Sequence, residues 1–201
     1  MKTGDITQWF ADSGDHTLRV NYNLDENSIV FDLGGYHGEW ADKIFTKYGC
    51  TVYIFEPINS LYEGIVKKFS NNEKIKVFNF GISDINEKRF ISLENDGSSF
   101  YKSSGNEIEC EVKSITEFLK EEEINKIHLM KINVEGDEFK IIEKILNDKI
   151  VNIFDNLQVQ FHEFYPNSRE LRLQLHDELS QTHHLTYNYE FVWENWEKNH
   201  E

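Results

Sequence analysis

Four short stretches of the chain gather residue types capable of chemistry. In IVFDLGGYHG (29–38) an apolar run ends on Asp32 and passes into a loop with glycines at 34, 35 and 38, interrupted by Tyr36 and His37. Glycine lets a ligand approach the backbone closely, and the helix that follows begins with unpaired N–H groups, so this loop reads as a binding site. In CTVYIFEP (50–57) a second apolar run ends on Glu56 and Pro57. A carboxylate at such a strand end can accept hydrogen bonds from both hydroxyls of a ribose. KINVEGDE (131–138) crowds Asn133, Glu135, Asp137 and Glu138 at the end of a third apolar run. LQVQFHEF (157–164) places His162 at a strand-like end with Glu163 beside it, and imidazole is the side chain that titrates near neutral pH.

The glycine spacing narrows the ligand. G-x-G-x-x-G, the dinucleotide fingerprint, needs glycines two and then three apart, whereas Gly34 and Gly38 are four apart; no Gly-Lys-Ser/Thr follows to make a phosphate-binding loop. What remains, D-x-G-x-x-x-G, resembles the first motif of S-adenosylmethionine-dependent methyltransferases, with Tyr36 in place of its middle glycine. The competing reading is an ordinary glycine turn of an α/β protein.

These groups must be positioned by alternating strands and helices. After the glycine loop, EWADKIFTKYG carries Trp40, Ala41, Ile44, Phe45 and Tyr48 at helical spacing and stops at Gly49. Pro57 suits the first turn of a second helix with Ile58, Leu61, Tyr62, Ile65 and Phe69 inward. One helix between the two apolar runs makes them adjacent parallel strands, which brings Asp32, Gly34 and Glu56 to the carboxyl edge of one sheet, where ligands of open α/β sheets bind. KIKVFNFGISD (74–84) reads as a third strand whose end (Gly81, Ile82, Ser83) would contact an adenine ring. Residues 85–113 break the alternation and read as an antiparallel hairpin insertion with Gly-Ser-Ser and Ser-Ser-Gly tips. SITE (114–117) fits a capping box opening a helix, and a strand over IHLMKI leads into a helix on Phe139, Ile141, Ile142, Ile145 and Leu146. LTYNYEFVWENWEKN alternates aromatic and polar residues as a half-buried hairpin does, with Trp193 and Trp196 expected to pack and His183 and His184 expected at the surface. Residues 1–28 form a lead-in with one amphipathic segment (Ile6, Trp9, Phe10) and the alternating LRVNYNL, serving either as packing or as a cover for the ligand.

The 201 residues fit one domain. Hydrophobic residues make up 39% and charged residues 28%, which is the balance of a globular protein. No apolar run approaches the length of a membrane span, Met1 to Ser28 is polar, and Cys50 and Cys110 offer neither a disulfide framework nor metal-ligand spacing, so the expectation is a cytosolic protein without a membrane partner. Thirty-six acidic against 21 basic residues give a net charge of −15, with the lysines scattered. Neutralising phosphates takes a basic patch, so the expectation is that nucleic acid is not a partner and that a small molecule is.

K-I-N-V-E-G-D-E at 131–138, preceded by SITEFL, resembles the hallmark K-I-D-V-E-G-x-E of the FkbM methyltransferases, and VFDLGGYHG, FEP, QFHEF and FVWENWE fit the same family in order. The resemblance runs from about residue 29 to 196 and departs at Asn133, where the family carries Asp; an amide is no base, so any proton-handling role there passes to Glu135. It implies an α/β, Rossmann-like class I methyltransferase fold with a mostly parallel seven-stranded sheet and an antiparallel C-terminal hairpin. It also implies a SAM-dependent O-methyltransferase acting on hydroxyls of sugars, nucleotide sugars or glycan precursors, with homo-oligomers compatible. Asp32, Gly34, Gly35, Tyr36, Gly38, Glu56, Pro57, Gly81, Ile82, Ser83 and Asn133 are expected around the cofactor, and Asn133, Glu135 and His162 on the acceptor side. An alcohol becomes a good nucleophile as its proton leaves, and His162 is the expected general base. Alternatives are a metal-assisted enzyme holding Mg²⁺ on Glu135, Asp137 or Glu163 with His162, which is less favoured, a catalytically silent SAM-binding subunit, and a nicotinamide-dependent oxidoreductase, which the glycine spacing opposes.

Overall fold

The computed structural model describes residues 2–92 and 107–200. Its centre is a sheet built from β1 (Lys2–Gly4), β2 (Ile29–Leu33), β3 (Thr51–Phe55), β4 (Ile75–Phe78), β8 (Leu129–Ile132), β9 (Asn156–Val159), β10 (His183–Tyr189) and β11 (Trp193–Lys198), in the order β1-β10-β11-β9-β8-β2-β3-β4. β4, β3, β2, β8 and β9 run parallel, and β11 is antiparallel to both β9 and β10. Seven strands follow the expected plan. The eighth, β1, comes from the lead-in and pairs in parallel with β10 at the edge.

Helices clothe both faces. One face buries Phe31, Leu33, Met130, Ile132, Leu157 and Val159 against α4 (Ile115–Glu121), α5 (Glu138–Asn147) and α6 (Ser168–Leu179). The other buries Val30, Val52, Ile54 and Leu129 against α2 (Glu39–Tyr48) and α3 (Asn59–Lys68). The strands are therefore apolar on both sides, as parallel strands in a doubly covered sheet must be. Where α2 and α3 give out, over β9 to β11, the covering layer is the lead-in: α1 (Ile6–Ala11) tucks Trp9 against Tyr187, Tyr189 and Trp193.

Several expectations change. KIKVFNFGISD is two strands, not one: β4 stays in the large sheet, while β5 (Gly81–Ser83) joins a second sheet of order β5-β7-β6 with β6 (Glu87–Ser92) and β7 (Glu107–Ser114). The break falls at Asn79, whose amide donates to the Glu56 carbonyl, and Phe80, which packs on Phe55 and Phe118. β6 and β7 pair antiparallel as the insertion predicted; its Gly-Ser-Ser and Ser-Ser-Gly tips lie outside the described residues. α4 begins after Ser114 without a side-chain cap; the Ser114 N–H, which Glu117 would accept in a capping box, donates to Asn86 Oδ1, and the Asn86 amide donates to Glu117. LRVNYNL forms turns and coil, not a strand. His183 is buried, not superficial: its Nε2 lies 2.9 Å from the Phe154 carbonyl and its Nδ1 2.8 Å from Thr182 Oγ1. Trp193 and Trp196 are buried and pack, and among the described residues no helix is long and apolar enough to cross a membrane.

Candidate functional site

β2 and β3 lie side by side in register, Leu33 opposite Phe55, so the glycine loop and Glu56 emerge together at the carboxyl edge. The loop is fastened to the neighbouring strand by its own backbone: Gly34 and Gly35 N–H groups both donate to the Phe55 carbonyl, and the Tyr36 N–H donates to Glu56 Oε2 at 2.8 Å. Glu56 Oε1 accepts the Ile58 N–H at 3.0 Å, closing the turn into α3. Gly34 has φ +80, and a Cβ there would stand 2.0 Å from the Asn133 carbonyl oxygen, so glycine is obligatory. Tyr36, where the related motif carries glycine, adopts φ +51; the left-handed conformation explains that glycine, and a side chain accepts it at a cost of roughly 1 kcal/mol.

Under the loop sits an ion pair. Lys131 of β8 faces Asp32 of β2 in register and donates to Asp32 Oδ1 and to the Gly34 carbonyl, each at 2.7 Å. Both side chains are buried, and burial lowers the Lys131 pKa against the opposing pull of Asp32. The pair is far from solvent, so losing either partner would strand a charge in the sheet.

Above these tips opens a cavity of about 530 Å³, within the range of cofactor-sized sites. It brings together Gly34, Gly35, Tyr36, Glu56, Pro57, Gly81, Ile82, Asn133 and Glu135 of the expected residues. Asp32, Gly38, Ser83 and His162 are not among its walls. Asp32 acts on the loop through Lys131. Gly38 is the left-handed N-cap of α2. Ser83 is fully buried, with its hydroxyl 2.6 Å from Asp137 Oδ2, and Arg89 of β6 pairs with the same Asp137. That ion pair ties the second sheet to the loop after β8, and Ile91 of β6 thereby reaches the cavity.

The loop from Asn133 to Asp137 is shaped by Glu138, the first residue of α5. Its carboxylate, fully buried, accepts the N–H groups of Val134 (3.0 Å) and Gly136 (2.9 Å) and meets His162 Nδ1 at 2.9 Å. Glu135 turns outward between them at φ +56, its Oε1 3.5 Å from His162 Nε2. β9 ends at Val159, so His162 stands on the loop beyond the strand, sandwiched between two carboxylates. Burial alone would lower its pKa; Glu135 and Glu138 outweigh burial and raise it to about 10. His162 is thus an imidazolium at neutral pH, with no lone pair to offer a substrate. Glu56 shows the opposite balance: burial pushes its pKa up to about 7, against the two N–H bonds and Lys131.

The pattern of unfilled acceptors tests whether S-adenosylmethionine fits. Among the described residues, the buried side-chain atoms without a hydrogen-bond partner are Asp32 Oδ2, beneath the loop, and Asn133 Oδ1, whose residue lines the cavity. A buried orphan acceptor on the cavity wall calls for a donor, which for Asn133 Oδ1 the cofactor's ammonium would supply. Glu56 retains lone pairs for ribose hydroxyls, and Ile58, Leu61, Ile82 and Ile91 make an apolar wall suited to a purine. Among the described residues no group of three or more His, Cys, Asp or Glu is arranged to hold a metal ion.

Sequence reasoning missed Lys131, although a lone lysine inside an apolar strand was a visible signal. It also missed Asp15, Arg19, Glu39, Trp40 and Lys43, which wall the far end of the cavity. Arg19 and Asp15 carry no local signature; only the tertiary fold brings the lead-in there.

Residues 32–189 match the model of the "Methyltransferase FkbM domain" family. Among solved structures, the fold is similar to a chain assigned as an rRNA methylase of Clostridium thermocellum (TM-score 0.60, 9% identity, 100% of this chain and 99% of that one). It is also similar to a Streptococcus mutans protein assigned as a methyltransferase and solved with S-adenosylhomocysteine (TM-score 0.58, 13% identity, 94% and 97%). A third is an rRNA methylase of Streptococcus thermophilus (TM-score 0.54, 15% identity, 95% and 96%). No curated protein matches the chain. These neighbours correct one expectation. The net charge of −15 does not exclude nucleic acid as a partner, because this chain has the fold of proteins described as rRNA methylases. Whole-chain charge says little about the few residues that line a site.

Proposed function

Because this chain belongs to the FkbM family of methyltransferases, with S-adenosylmethionine as cofactor, we propose that it methylates a hydroxyl group of a sugar-bearing acceptor. The observation that carries this reading is the Glu135 carboxylate on the cavity wall beside Asn133, backed by a charged His162. Bound S-adenosylmethionine supplies a methyl group on a sulfonium, an excellent leaving group, so the protein's own work is alignment and proton handling.

In this reading Glu56 accepts the ribose hydroxyls, and Gly34 and Gly35 give close approach to the methionine portion. Asn133 Oδ1 receives an N–H donor, and Gly81 and Ile82 border the adenine. Glu135 accepts the acceptor's hydroxyl proton as the oxygen becomes nucleophilic. His162, already protonated, is a positioning residue: with Glu138 it fixes Glu135 in its left-handed turn. The base is therefore Glu135 and not His162, since an imidazolium between two carboxylates has nowhere to put another proton.

The test is a methyl-acceptor panel of sugars, nucleotide sugars and RNA, read by S-adenosylhomocysteine release and by the mass and position of the product. Methylation at a sugar hydroxyl supports the reading; methylation at a base nitrogen or carbon overturns it.

A further inference from the structure

One end of the cavity is walled by Asp15 and Arg19 of the lead-in, and Arg19 rests on Gln158 of β9 and Trp193 of β11, which lie across β8 and β2 from β3 and its Glu56 tip in strand order. Here the lead-in lays Arg19 across the sheet. Its guanidinium stacks 3.8 Å from the Trp193 ring, its Nε reaches Gln158 Oε1 at 3.4 Å, and its side chain is 16% exposed. The backbone holds the residue in place as well, because the Arg19 carbonyl accepts from Trp40 Nε1 at 3.0 Å and from Gln158 Nε2 at 3.1 Å. Among the described residues its carboxylate partner is Asp15, at 2.7 Å, whose side chain is 43% exposed. An ion pair with so open a partner is weak and exchangeable. Lys43 stands on the rim, with Lys131 below.

We propose that Arg19 receives an anionic group of the acceptor, a carboxylate or a phosphate, at this end of the cavity. The inference rests on the methyltransferase reading above and names the substrate class for it: a sugar bearing a negative charge. A guanidinium fixed by an aromatic face and a strand amide is pre-organised to grip an oxyanion with its remaining N–H groups. In strand order the glycine loop and the start of α2 come between Arg19 and Glu56. The first-turn N–H groups of α2, which a helix leaves without intrahelical acceptors, can take the cofactor's own carboxylate, leaving Arg19 to the acceptor.

The test uses the full chain saturated with S-adenosylhomocysteine and titrated with glucose, glucuronate and glucose 1-phosphate. Wild type is expected to bind at least one of the two anions about tenfold more tightly than glucose, and Arg19→Gln to lose that preference while its S-adenosylhomocysteine affinity stays within about twofold. Arg19→Lys, which keeps the charge and loses the fork, should retain part of the preference. Equal binding of all three sugars by wild type overturns the proposal, and so does an unchanged preference in Arg19→Gln. A variant that binds S-adenosylhomocysteine more weakly but 5′-methylthioadenosine normally also overturns it, because Arg19 then serves the cofactor's carboxylate. If Arg19→Gln does not fold, Arg19→Lys decides: a reduced anion preference with unchanged S-adenosylhomocysteine affinity supports the proposal, and an undiminished preference overturns it. Failure of wild type to bind S-adenosylhomocysteine at all is a different result: it removes the methyltransferase reading itself.

Discussion

The two halves of the cavity are built differently. At the tips of β2 and β3 the loop is fastened by nearby backbone: three of its N–H groups bond to Phe55 and Glu56, and one helix separates the two strands. At the tips of β8 and β9 the parts are charged side chains from separate elements: Glu138 of α5 meets His162 beyond β9, and Arg19 of the lead-in meets Gln158 139 positions away. The first half is a backbone device, the second a set of charged side chains. The contrast predicts that damage to the first half removes binding or folding, whereas damage to the second removes turnover or selectivity.

The largest expected effect is on chemistry in the second half. Glu135→Gln keeps the shape of the side chain and removes its basicity, so turnover should fall by about 10²–10⁴, with S-adenosylhomocysteine affinity within about twofold; calorimetry and a methyl-transfer assay read the two arms. Turnover within about threefold of wild type would take the base away from Glu135. Next comes Gly34→Ala in the first half. Its Cβ has no room against the Asn133 carbonyl and its φ is left-handed, so a loss of roughly 3 kcal/mol is expected. That corresponds to about 6–12 °C in Tm for a chain of this size. A melting temperature unmoved would show that the loop adapts and is not the rigid element described.

Two pH effects sharpen the contrast. His162 has a folded pKa of about 10, above its ordinary 6.5, so its contribution to stability is full below about pH 6.5 and is lost as pH rises through 10. Urea unfolding across that window should show wild type losing stability more steeply than His162→Gln; parallel curves would mean that the two carboxylates do not hold the imidazolium. Glu56 is raised from 4.5 to about 7 by burial, so its ionisation costs stability as pH climbs through 7. The ionised form is also the better acceptor for ribose hydroxyls. S-adenosylhomocysteine affinity should therefore rise, by up to about tenfold, between about pH 6 and pH 8, and Glu56→Gln should flatten the rise.

Legibility in the sequence followed the same division. The glycine loop, Glu56 and the alternation of strands and helices were readable because each is encoded within a few residues: apolar period, glycine, a terminal acid. The hairpin pairing of β6 with β7 and of β10 with β11 was readable for the same reason. What was not readable depended on the protonation and burial that only packing creates. His162 looks like a base in a strand-end pattern; two carboxylates arriving from the β8 loop and α5 make it a cation. Ser83 looks like a loop hydroxyl; Asp137 and Arg89 bury it. Arg19 sits in a lead-in with no motif, and its position follows from Trp193 and Gln158 at the other end of the chain. Net charge sums over a surface of which the site is a small part, so a total of −15 does not decide whether nucleic acid binds.

Titration calorimetry of S-adenosylhomocysteine into wild type and Glu56→Ala tests the central claim most directly, that the tips of β2 and β3 together hold the cofactor. The account predicts one-site binding by wild type and a loss of about 10–100-fold in Glu56→Ala, while the variant's melting shows that it is folded. Equal affinity of the two proteins, or tighter binding of NAD than of S-adenosylhomocysteine by wild type, would contradict it.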